Sequence, residues 1–491
     1  MELDHAANYQ VIAQRDGRFD GRLFTAVKTT GVYCRPICPA RTPRAENVVF
    51  YPSAAAAQQA GYRPCLRCRP ETAPDLGAWR GTSNTVSRAM ALIELGAMDG
   101  GDVDALAGRL GVGERQLRRL FRRHLGASPV AVAQTRRVLL ARQLIAETRL
   151  SMAQVAFASG FASIRRFNET FQALYGRPPG ALRRTRGEDG PAGGAITLRL
   201  AYRPPYDWAS MLGFLRARAI AGVETADGDA WRRTFAVVGA VGWLQVRPAA
   251  DGEALSATIE ASNLSAIPEI VARLRRLFDL ASDPVAIGAH LAADPILAPL
   301  VAARPGLRAP GAWDGFETAI RAVLGQQITV AAAIALAGRL TARYGAPLAG
   351  GGEGLTHLFP TPQALRDADV ATFGMPRSRA ATIAAIAGAV IDNPALFSPG
   401  ADLESVVARL RALPGVGDWT AQYIALRLLR EPDAFPASDI GLQRALADRD
   451  GRRPTARQLT AMAEPWRPWR AYAAQHLWTS EAKLAPAGAK E

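Results

Sequence analysis

All four cysteines of this 491-residue chain lie between positions 34 and 68, and their spacing is that of a metal site. Three residues separate Cys34 from Cys38, and two separate Cys65 from Cys68. Two such close pairs can place four thiolates at the corners of a tetrahedron, which is the geometry that Zn²⁺ prefers. The alternative is two disulfides, but thiols inside the cell are normally kept reduced. The spacing therefore predicts one zinc ion held by the four cysteines.

Charge is distributed unevenly along the chain, and this distribution indicates a polyanionic partner. The net charge is +15, and residues 81–187 carry +10 of it, with 17 arginines against seven acidic residues. Residues 1–80 carry +4, and residues 188–491 carry only +1. A surface that merely keeps a protein soluble usually mixes both signs, so the basic middle segment favours nucleic acid as a partner.

Composition excludes several classes of protein. With 49% hydrophobic and 21% charged residues, the chain can bury several cores, which excludes wholesale disorder. There is no run of about 18 uncharged apolar residues, so no membrane partner is expected. The first residues include acids rather than a basic stretch, so no signal peptide is expected either. We therefore expect a cytoplasmic protein with several domains, since one domain usually spans about 100–200 residues.

The elements that must position these residues fall into four units. Pro70–Asp75 with Gly81–Ser83, and later Arg186–Gly194, have the composition of linkers. Alternating runs at Ile196–Leu200 and Phe235–Gly239 predict strands, whereas alanine-rich helical periodicity dominates from about residue 283. The predicted fold is multidomain α+β: a small four-cysteine zinc domain (1–78), an all-α double helix-turn-helix domain (82–186), a mixed α/β domain (195–282) and an all-α helix-hairpin-helix domain (283–485).

The basic segment contains two predicted helix-turn-helix units. The first has helices at Asp104–Leu110 and Glu114–His124, with a turn between them. The apolar stripe of its second helix is Leu117, Leu120 and Phe121. The second unit has helices at Met152–Ser159 and Ser163–Leu174, and the residues expected to face inward are Ile164, Phe167, Phe171 and Leu174.

The arginines left on the outer faces are expected to contact DNA. An exposed second helix can reach phosphates and guanine edges in the major groove, although any single arginine can equally be a solvated surface residue. These outer residues are Arg115, Arg118, Arg119, Arg122 and Arg123 in the first unit, and Arg165, Arg166 and Asn168 in the second. With a long connecting helix near Val130–Glu147 and a closing Gly176–Pro179, the segment resembles the AraC-type DNA-binding domain.

The cysteine segment also resembles a known family. Phe24–Arg41 and Ala60–Pro70 look like the zinc domain of Ada, the bacterial adaptive-response regulators, over about the first 75 residues. The resemblance implies that Cys34 is both a zinc ligand and the acceptor of a methyl group from a methylphosphotriester in DNA. On the residues alone, the alternative is a purely structural zinc site. The flanking arginines that would hold the DNA strand are Arg35, Arg41, Arg63, Arg67 and Arg69.

Charge gives this module a way to act as a switch. Zinc stabilises thiolate over thiol, so a nucleophile exists at neutral pH. Four thiolates around one Zn²⁺ carry a formal charge of −2, and methylation of one sulfur makes it −1. We expect the change to weaken repulsion from DNA phosphates and to tighten promoter binding.

The rest of the chain resembles AlkA, the 3-methyladenine DNA glycosylase II family, over residues 196–482. The matching segments are Tyr202–Ala219, Ala303–Leu307, Arg321–Gln326 and Trp466–Tyr472. Leu413–Ala421 is a helix-hairpin-helix signature, in which Gly415 and Gly417 let backbone N–H groups approach a DNA phosphate. Such a hairpin alone indicates only non-specific DNA binding.

A single carboxylate is expected to perform the base excision. Asp439, in Phe435–Leu442, lies at the position of the family's catalytic aspartate, where it would stabilise an oxocarbenium-like sugar and orient water. The alternative is a helix-capping role for Asp439. The flipped base needs an aromatic pocket, whose electron-rich faces would attract a cationic base. By position in the family, Phe214, Trp419, Tyr423 and Trp478 would line it, although ordinary core packing is an alternative for each.

Three departures from the related families refine this interpretation. Trp419 stands where glycosylases with lyase activity carry a nucleophilic lysine, which predicts base removal without strand cleavage. Gln327 stands where AlkA wedges a leucine into the gap left by the flipped base, and a polar wedge can hydrogen-bond the orphaned base. The Pro-Cys-His-Arg motif of the Ada methylguanine methyltransferase is absent. No cofactor is expected for the glycosylase.

We therefore expect an adaptive-response protein that joins a methylation sensor, a transcription factor and a monofunctional glycosylase. Its partners would be double-stranded, alkylated and promoter DNA, and a transcriptional activator also implies RNA polymerase. One alternative is a constitutive repair enzyme whose front half only adds DNA affinity. Another is a pure regulator with an inactive glycosylase, which the presence of Asp439 and the aromatic residues disfavours.

Overall fold

The computed structural model describes residues 4–73, 84–99, 102–183, 195–237, 239–352, 354–398 and 402–484. The chain divides into two compact units. The first comprises Met1–Tyr202, Ala236–Val241 and Ala249–Ala272, and the second comprises Arg203–Phe235, Gly242–Pro248 and Arg273–Glu491. Within the described ranges, no helix has both the length and the apolar character needed to cross a bilayer. The predicted linker at 186–194 and most of the one at 70–83 lie outside the described residues.

The first unit begins with a four-stranded sheet that positions the cysteines. Its elements are α1 (His5–Ala13), β1 (Phe24–Val27), β2 (Val32–Cys34), β3 (Val48–Tyr51), α2 (Ala54–Gln59) and β4 (Arg63–Pro64). The strand order is β3-β1-β2-β4, with β1 antiparallel to β2 and β3, and β2 parallel to β4. Tyr33 lies opposite Pro64, and the Cys65 N–H donates to the Tyr33 carbonyl at 2.9 Å. This register brings Cys34 and Cys65 side by side.

Six helices follow, and four of them form the two predicted helix-turn-helix units. They are α3 (Asn84–Glu94), α4 (Val103–Arg109), α5 (Glu114–Leu125), α6 (Pro129–Glu147), α7 (Met152–Ala158) and α8 (Ile164–Tyr175). The side chains of Asp102 and Ser163 accept backbone N–H groups at the starts of α4 and α8. Gly126 and Gly176, each with φ +67°, terminate α5 and α8 in the left-handed conformation. The predicted helix order is confirmed.

For the second helix-turn-helix, the prediction that Ile164 faces inward is wrong. Ile164 is 40% exposed because it is the first residue of α8 and precedes the turn that packs against the core. The buried positions are Phe167, Phe171 and Tyr175, which recur every four residues, and Leu174 is only half-buried. In the first helix-turn-helix, Leu117 and Phe121 are buried as expected, and Leu120 is half-buried between them.

A second sheet follows, with the order β5-β9-β8-β7-β6. Its segment comprises β5 (Ile196–Ala201), α9 (Trp208–Arg216), β6 (Glu224–Asp227), β7 (Ala230–Val237), β8 (Ala240–Pro248), β9 (Ala254–Ala261) and α10 (Ile267–Leu277). Of the strand predicted at Phe235–Gly239, Phe235–Val237 form the end of β7, and Val238 lies outside the described residues. Gly239 lies in the following turn with φ +68°, so the backbone reverses there before β8 begins.

From residue 284 onwards, the second unit consists mainly of helices. Its helices are α11 (Pro284–Leu291), α12 (Ala298–Ala303), α13 (Gly315–Leu324), α14 (Val330–Tyr344), α15 (Pro362–Arg366), α16 (Arg377–Asp392), α17 (Leu403–Arg411), α18 (Asp418–Arg427), α19 (Ile440–Ala445), α20 (Ala456–Met462) and α21 (Arg470–Leu484). Small buried residues on α13 and α18, among them Ala319, Ala421 and Ala425, belong to one apolar core. The alanine-rich periodicity in the sequence thus corresponds to closely packed helices.

Candidate functional sites

The four cysteines form a compact cluster in the first unit. Their sulfur atoms all lie within 4.8 Å of one another, and all four thiols are free. Tetrahedral zinc with Zn–S bonds of about 2.3 Å places its sulfurs about 3.8 Å apart, so the donor set fits one such ion. Backbone N–H groups also point at two sulfurs at 3.4 Å, from Arg35 to Cys68 and from Arg67 to Cys65. The predicted zinc ligands are therefore brought together, and the alternative of two disulfides is wrong.

Burial separates the cysteines into two groups. Cys68 is 7% exposed, whereas the other three are half-buried. Hydrogen bonding, first of all with the Cys34 thiol, lowers the pKa of Cys38 to about 7. Cys68 is therefore the least exposed candidate for an acceptor of a methyl group from DNA. The choice of Cys34 as methyl acceptor remains a prediction.

The arginines around the cysteines have different roles. The Arg35 guanidinium is paired with Asp20 and is only 12% exposed, while Arg69 is paired with Glu71 at 3.1 Å and with Glu147 at 2.7 Å. These two arginines therefore stabilise the module internally. Arg41 and Arg67 are exposed, and Arg63 is half-buried. The arginines that can face DNA beside the cysteines are therefore Arg41, Arg63 and Arg67.

The cysteine module contacts the helices of its own unit directly. Arg142, on α6, is buried, donates to the Cys65 carbonyl at 3.3 Å and pairs with Glu71 at 3.1 Å. The Ser53 hydroxyl, at the start of α2, donates to the Leu125 carbonyl at the end of α5 at 2.5 Å. These contacts join the cysteine module to the connecting helix and to the first of the two basic helices.

The outer faces of α5 and α8 carry the predicted arginines. All five on α5 and both on α8 are exposed, as is Asn168. Two of them are paired along their own helix, Arg118 with Glu114 at 2.7 Å and Arg165 with Glu169 at 2.8 Å. No carboxylate partner within the described part of the chain contacts Arg115, Arg119 or Arg166. These three guanidinium groups are available to an external anion.

In the second unit, Asp439 lies at the start of α19 with both carboxylate oxygens occupied. Oδ1 accepts the Leu442 N–H at 3.0 Å and the Trp478 indole N–H at 2.8 Å. Oδ2 accepts the Trp419 indole N–H at 2.7 Å. The helix-capping role weighed from the sequence is real, and it coexists with two indole contacts that a cap does not need. The carboxylate is half-buried and fixed by three donors.

All four predicted pocket aromatics lie together. The rings of Trp419 and Tyr423 are stacked, with centroids 5.2 Å apart and an angle of 13° between planes. The guanidinium carbon of Arg427 lies 4.7 Å from the ring centroid of Phe214, 5.5 Å from that of Tyr423 and 5.0 Å from that of Trp478. Arg427 was not expected from the sequence. Its signal was the spacing, because residues 419, 423 and 427 recur every four residues on α18.

The two glycines of the predicted helix-hairpin-helix motif lie in its turn and at the start of α18. Gly415 has φ +76°, and a Cβ there would lie 1.9 Å from the Thr382 hydroxyl, so no other residue fits without movement. Gly417 is the N-cap of α18 and is exposed. Gln327 is exposed with φ +58°, and the preceding Gln326 side chain donates to the Gly415 carbonyl at 3.2 Å. The contact of Gln326 with Gly415 therefore holds Gln327, the predicted wedge, next to the hairpin.

Gly441 is a further site residue that sequence reasoning missed. A Cβ at this position would lie 3.0 Å from Asp439 Oδ1, 2.9 Å from Glu481 Oε2 and 3.2 Å from the Trp478 ring. The glycine therefore permits the approach of the Trp478 indole to the carboxylate. The only sequence signal was its place two residues after Asp439.

Four family models match the chain in succession. They are the metal binding domain of Ada at residues 7–71, a helix-turn-helix domain at 106–185, the AlkA N-terminal domain at 197–314, and the HhH-GPD superfamily base excision DNA repair protein at 320–471. Together with the two sites, these matches define a DNA-repair protein that joins a metal-binding module, a DNA-binding module and a base-excision module.

Relatives identify the family. The probable bifunctional transcriptional activator/DNA repair enzyme AlkA of Mycobacterium tuberculosis is 43% identical over 484 residues, which cover 98% of this chain and 97% of the relative. The DNA-3-methyladenine glycosylase 2 of Escherichia coli is 36% identical over 57% of this chain and 96% of its own length. A 3-methyladenine DNA-glycosylase from Archaeoglobus fulgidus shares the fold, with a TM-score of 0.52, 21% identity, and coverage of 58% of this chain and 99% of its own. The chain belongs to the family of bifunctional transcriptional activator/DNA repair enzymes AlkA.

Proposed function

We propose that the second unit excises alkylated bases, such as 3-methyladenine, from double-stranded DNA, and that Asp439 is its catalytic residue. The observation that carries the proposal is the Asp439 carboxylate, which two indole N–H groups hold beside the predicted base pocket. The names of the relatives agree with this activity. We also propose a cytoplasmic location, since the proposed substrate is DNA.

The proposed reaction needs a fixed negative charge and a water molecule. Alkylation makes the base cationic, so the bond from sugar C1′ to the base nitrogen breaks with its electron pair going to the base. The sugar becomes oxocarbenium-like, and the Asp439 carboxylate stabilises it. Water then bonds to C1′, and its proton passes to Asp439 or to solvent. Oδ2 accepts one hydrogen bond and Oδ1 accepts two, so Oδ2 has more acceptor capacity left for these steps.

The carboxamide variant tests the assignment. Asp439→Asn removes the charge but retains a good N-cap, so α19 should remain intact. We expect single-turnover excision of 3-methyladenine to fall by about 10³-fold or more, while binding to the same duplex changes little. The matched control is Asp402→Asn, which makes the same change at the N-cap of α17 and should retain activity. Excision by Asp439→Asn at the wild-type rate would show that Asp439 is only a cap.

We also propose that the first unit transfers a methyl group from a DNA methylphosphotriester to Cys34 and couples this event to promoter binding. Cys34, Cys38, Cys65 and Cys68 would hold Zn²⁺, which when bound stabilises thiolate over thiol. The Cys34 sulfur bonds to the methyl carbon as the methyl C–O bond breaks, and an ordinary phosphodiester anion is left. Arg41 and Arg67, which are exposed, would hold the strand.

The regulatory form of this proposal is favoured over a constitutive enzyme with a merely adhesive front half. The buried contacts of Arg142 with Cys65 and Glu71 join the cysteine cluster to α6, which connects the two basic helices. A module that only added DNA affinity would need no such junction. A footprint over the protein's own upstream DNA, with or without RNA polymerase, tests this point. Uniform protection of any sequence would support the constitutive alternative.

A further inference from the structure

A buried arginine lies among the rings of the proposed base pocket. The Arg427 guanidinium is within 5.5 Å of the ring centroids of Phe214, Tyr423 and Trp478, and the residue is only 4% exposed. Its Nη1 donates to the Pro310 carbonyl and to the Gln475 side-chain oxygen, each at 3.0 Å. The cation is therefore fixed in place.

A second cation lies against one of these rings. The Arg218 guanidinium carbon is 4.0 Å from the Phe214 centroid, so this ring contacts two guanidinium groups. Burial lowers the pKa of Arg427 to about 10, and the side chain still carries its charge at neutral pH. Aromatic faces attract cations through their negative quadrupole. At three of the four rings, a guanidinium group of the protein already makes such a cation–π contact.

This arrangement changes what the pocket can recognise. Empty aromatic faces would favour a cationic base over a neutral base of the same shape. A base held by these rings instead lies near a fixed positive charge, which repels a cationic base in a site partly screened from water. The repulsion opposes the attraction of the rings.

We propose that Arg427 is a specificity-determining residue, which reduces the pocket's preference for cationic bases so that neutral lesions of similar shape are also accommodated. This inference rests on the proposed base pocket. In it, the preference for alkylated bases arises mainly in bond breaking, because a cationic base leaves easily, and only weakly in binding.

Two lesions that differ in charge but not in shape test the inference. One duplex carries cationic 7-methylguanine and the other carries neutral 7-deaza-7-methylguanine, each on the same 2′-fluoroarabinose, which resists excision. The measured quantity is the ratio of the two dissociation constants at one salt concentration, for the full chain. We expect Arg427→Met and Arg427→Gln to shift this ratio about tenfold in favour of the cationic lesion. Arg427→Lys retains the charge and should remain within about twofold of wild type.

Structural damage gives a different pattern. It weakens binding of both lesions equally and leaves the ratio unchanged, including in the lysine variant. Arg308→Gln is the matched control, because Arg308 is also buried and lies over the ring of Tyr206, 4.8 Å from its centroid. That variant should leave the ratio unchanged. An unchanged ratio in both neutral Arg427 variants, each shown to be folded by circular dichroism, overturns the inference while the wild type still excises bases. Failure of the wild type to bind either lesion more tightly than undamaged DNA overturns the proposed pocket itself.

Discussion

The two proposed reactive sites of this protein arrange charge in opposite ways. In the cysteine cluster, four sulfurs lie within 4.8 Å of one another, so negative charge is concentrated and needs a metal ion to be tolerated. At Asp439, one carboxylate is held by three neutral N–H donors. The first arrangement suits a nucleophile that forms a bond and is consumed. The second suits a charge that stabilises a passing cation and remains for the next turnover.

These two arrangements of charge also require different surroundings: one site must be exposed and the other must be rigid. A sulfur that accepts a methyl group must be reachable, and three of the four cysteines are half-buried rather than buried. A carboxylate that only stabilises charge must be held still, and the approach of Trp478 past Gly441 provides this. Accessibility matters at the first site and orientation at the second. We therefore expect substitutions at the first site to abolish the reaction and substitutions around the second site to slow it.

The largest expected effect is at the cysteine cluster and is all or none. Cys34→Ser should abolish methyl transfer from DNA that carries methylphosphotriesters, because Cys34 is the proposed acceptor. In the wild type, mass spectrometry should find one irreversible addition of about 14 Da on Cys34, as expected when a thiolate is alkylated. Methyl on Cys38 or Cys65 instead would reassign the acceptor, and burial already argues against Cys68.

Next in size is the change in DNA affinity that follows methylation. The cluster goes from a formal −2 to −1, while the arginines of α5 and α8 are unchanged. Relief of one unit of repulsion should tighten operator binding by roughly 5- to 150-fold at low salt. The gain should shrink as salt rises, because screening weakens the repulsion that is relieved. Equal affinity of the methylated and unmethylated forms at low salt would mean that the cluster repairs DNA without acting as a switch.

How much of this was visible in the sequence depends on how local each feature is. The zinc ligands and the hairpin glycines follow from short spacings, and the helix order follows from apolar periodicity. The pairing of Arg35 with Asp20 joins residues 15 positions apart, and that of Arg69 with Glu147 joins residues 78 apart. No local pattern predicts such pairs, so both arginines were expected to face DNA. Ile164 was placed inward because periodicity alone does not say where a helix begins.

A smaller effect is expected at the indole donors of Asp439. Trp478→Phe and Trp419→Phe each remove one N–H while retaining an aromatic ring, so each should lower the single-turnover excision rate by about tenfold. Binding to damaged DNA should change less than the rate. The matched control is Trp466→Phe, which removes an indole N–H bonded to Asp294 at 2.8 Å and should leave the rate unchanged. A larger effect on binding than on rate would assign the tryptophans to base stacking alone.

The smallest expected effect is a dependence of stability on pH in the helix that carries Trp478. His476 lies on α21, two residues before Trp478, and burial lowers its pKa from 6.5 to about 4. The folded state thus resists a proton that the unfolded chain accepts, so the stability contributed by neutral His476 is present above pH 6.5. It is lost progressively as pH falls from 6.5 towards 4.

Between pH 7.5 and 5.5 this histidine should cost the fold about 1 kcal/mol. The measurement is hydrogen exchange across α21 at both pH values, corrected for the intrinsic exchange rate. His476→Leu should remove this part of the dependence, whereas His290→Gln, at an exposed histidine, should retain it. A wild-type slope that survives in His476→Leu would place the titrating group elsewhere, and the fixed orientation of Trp478 would then not depend on a neutral His476.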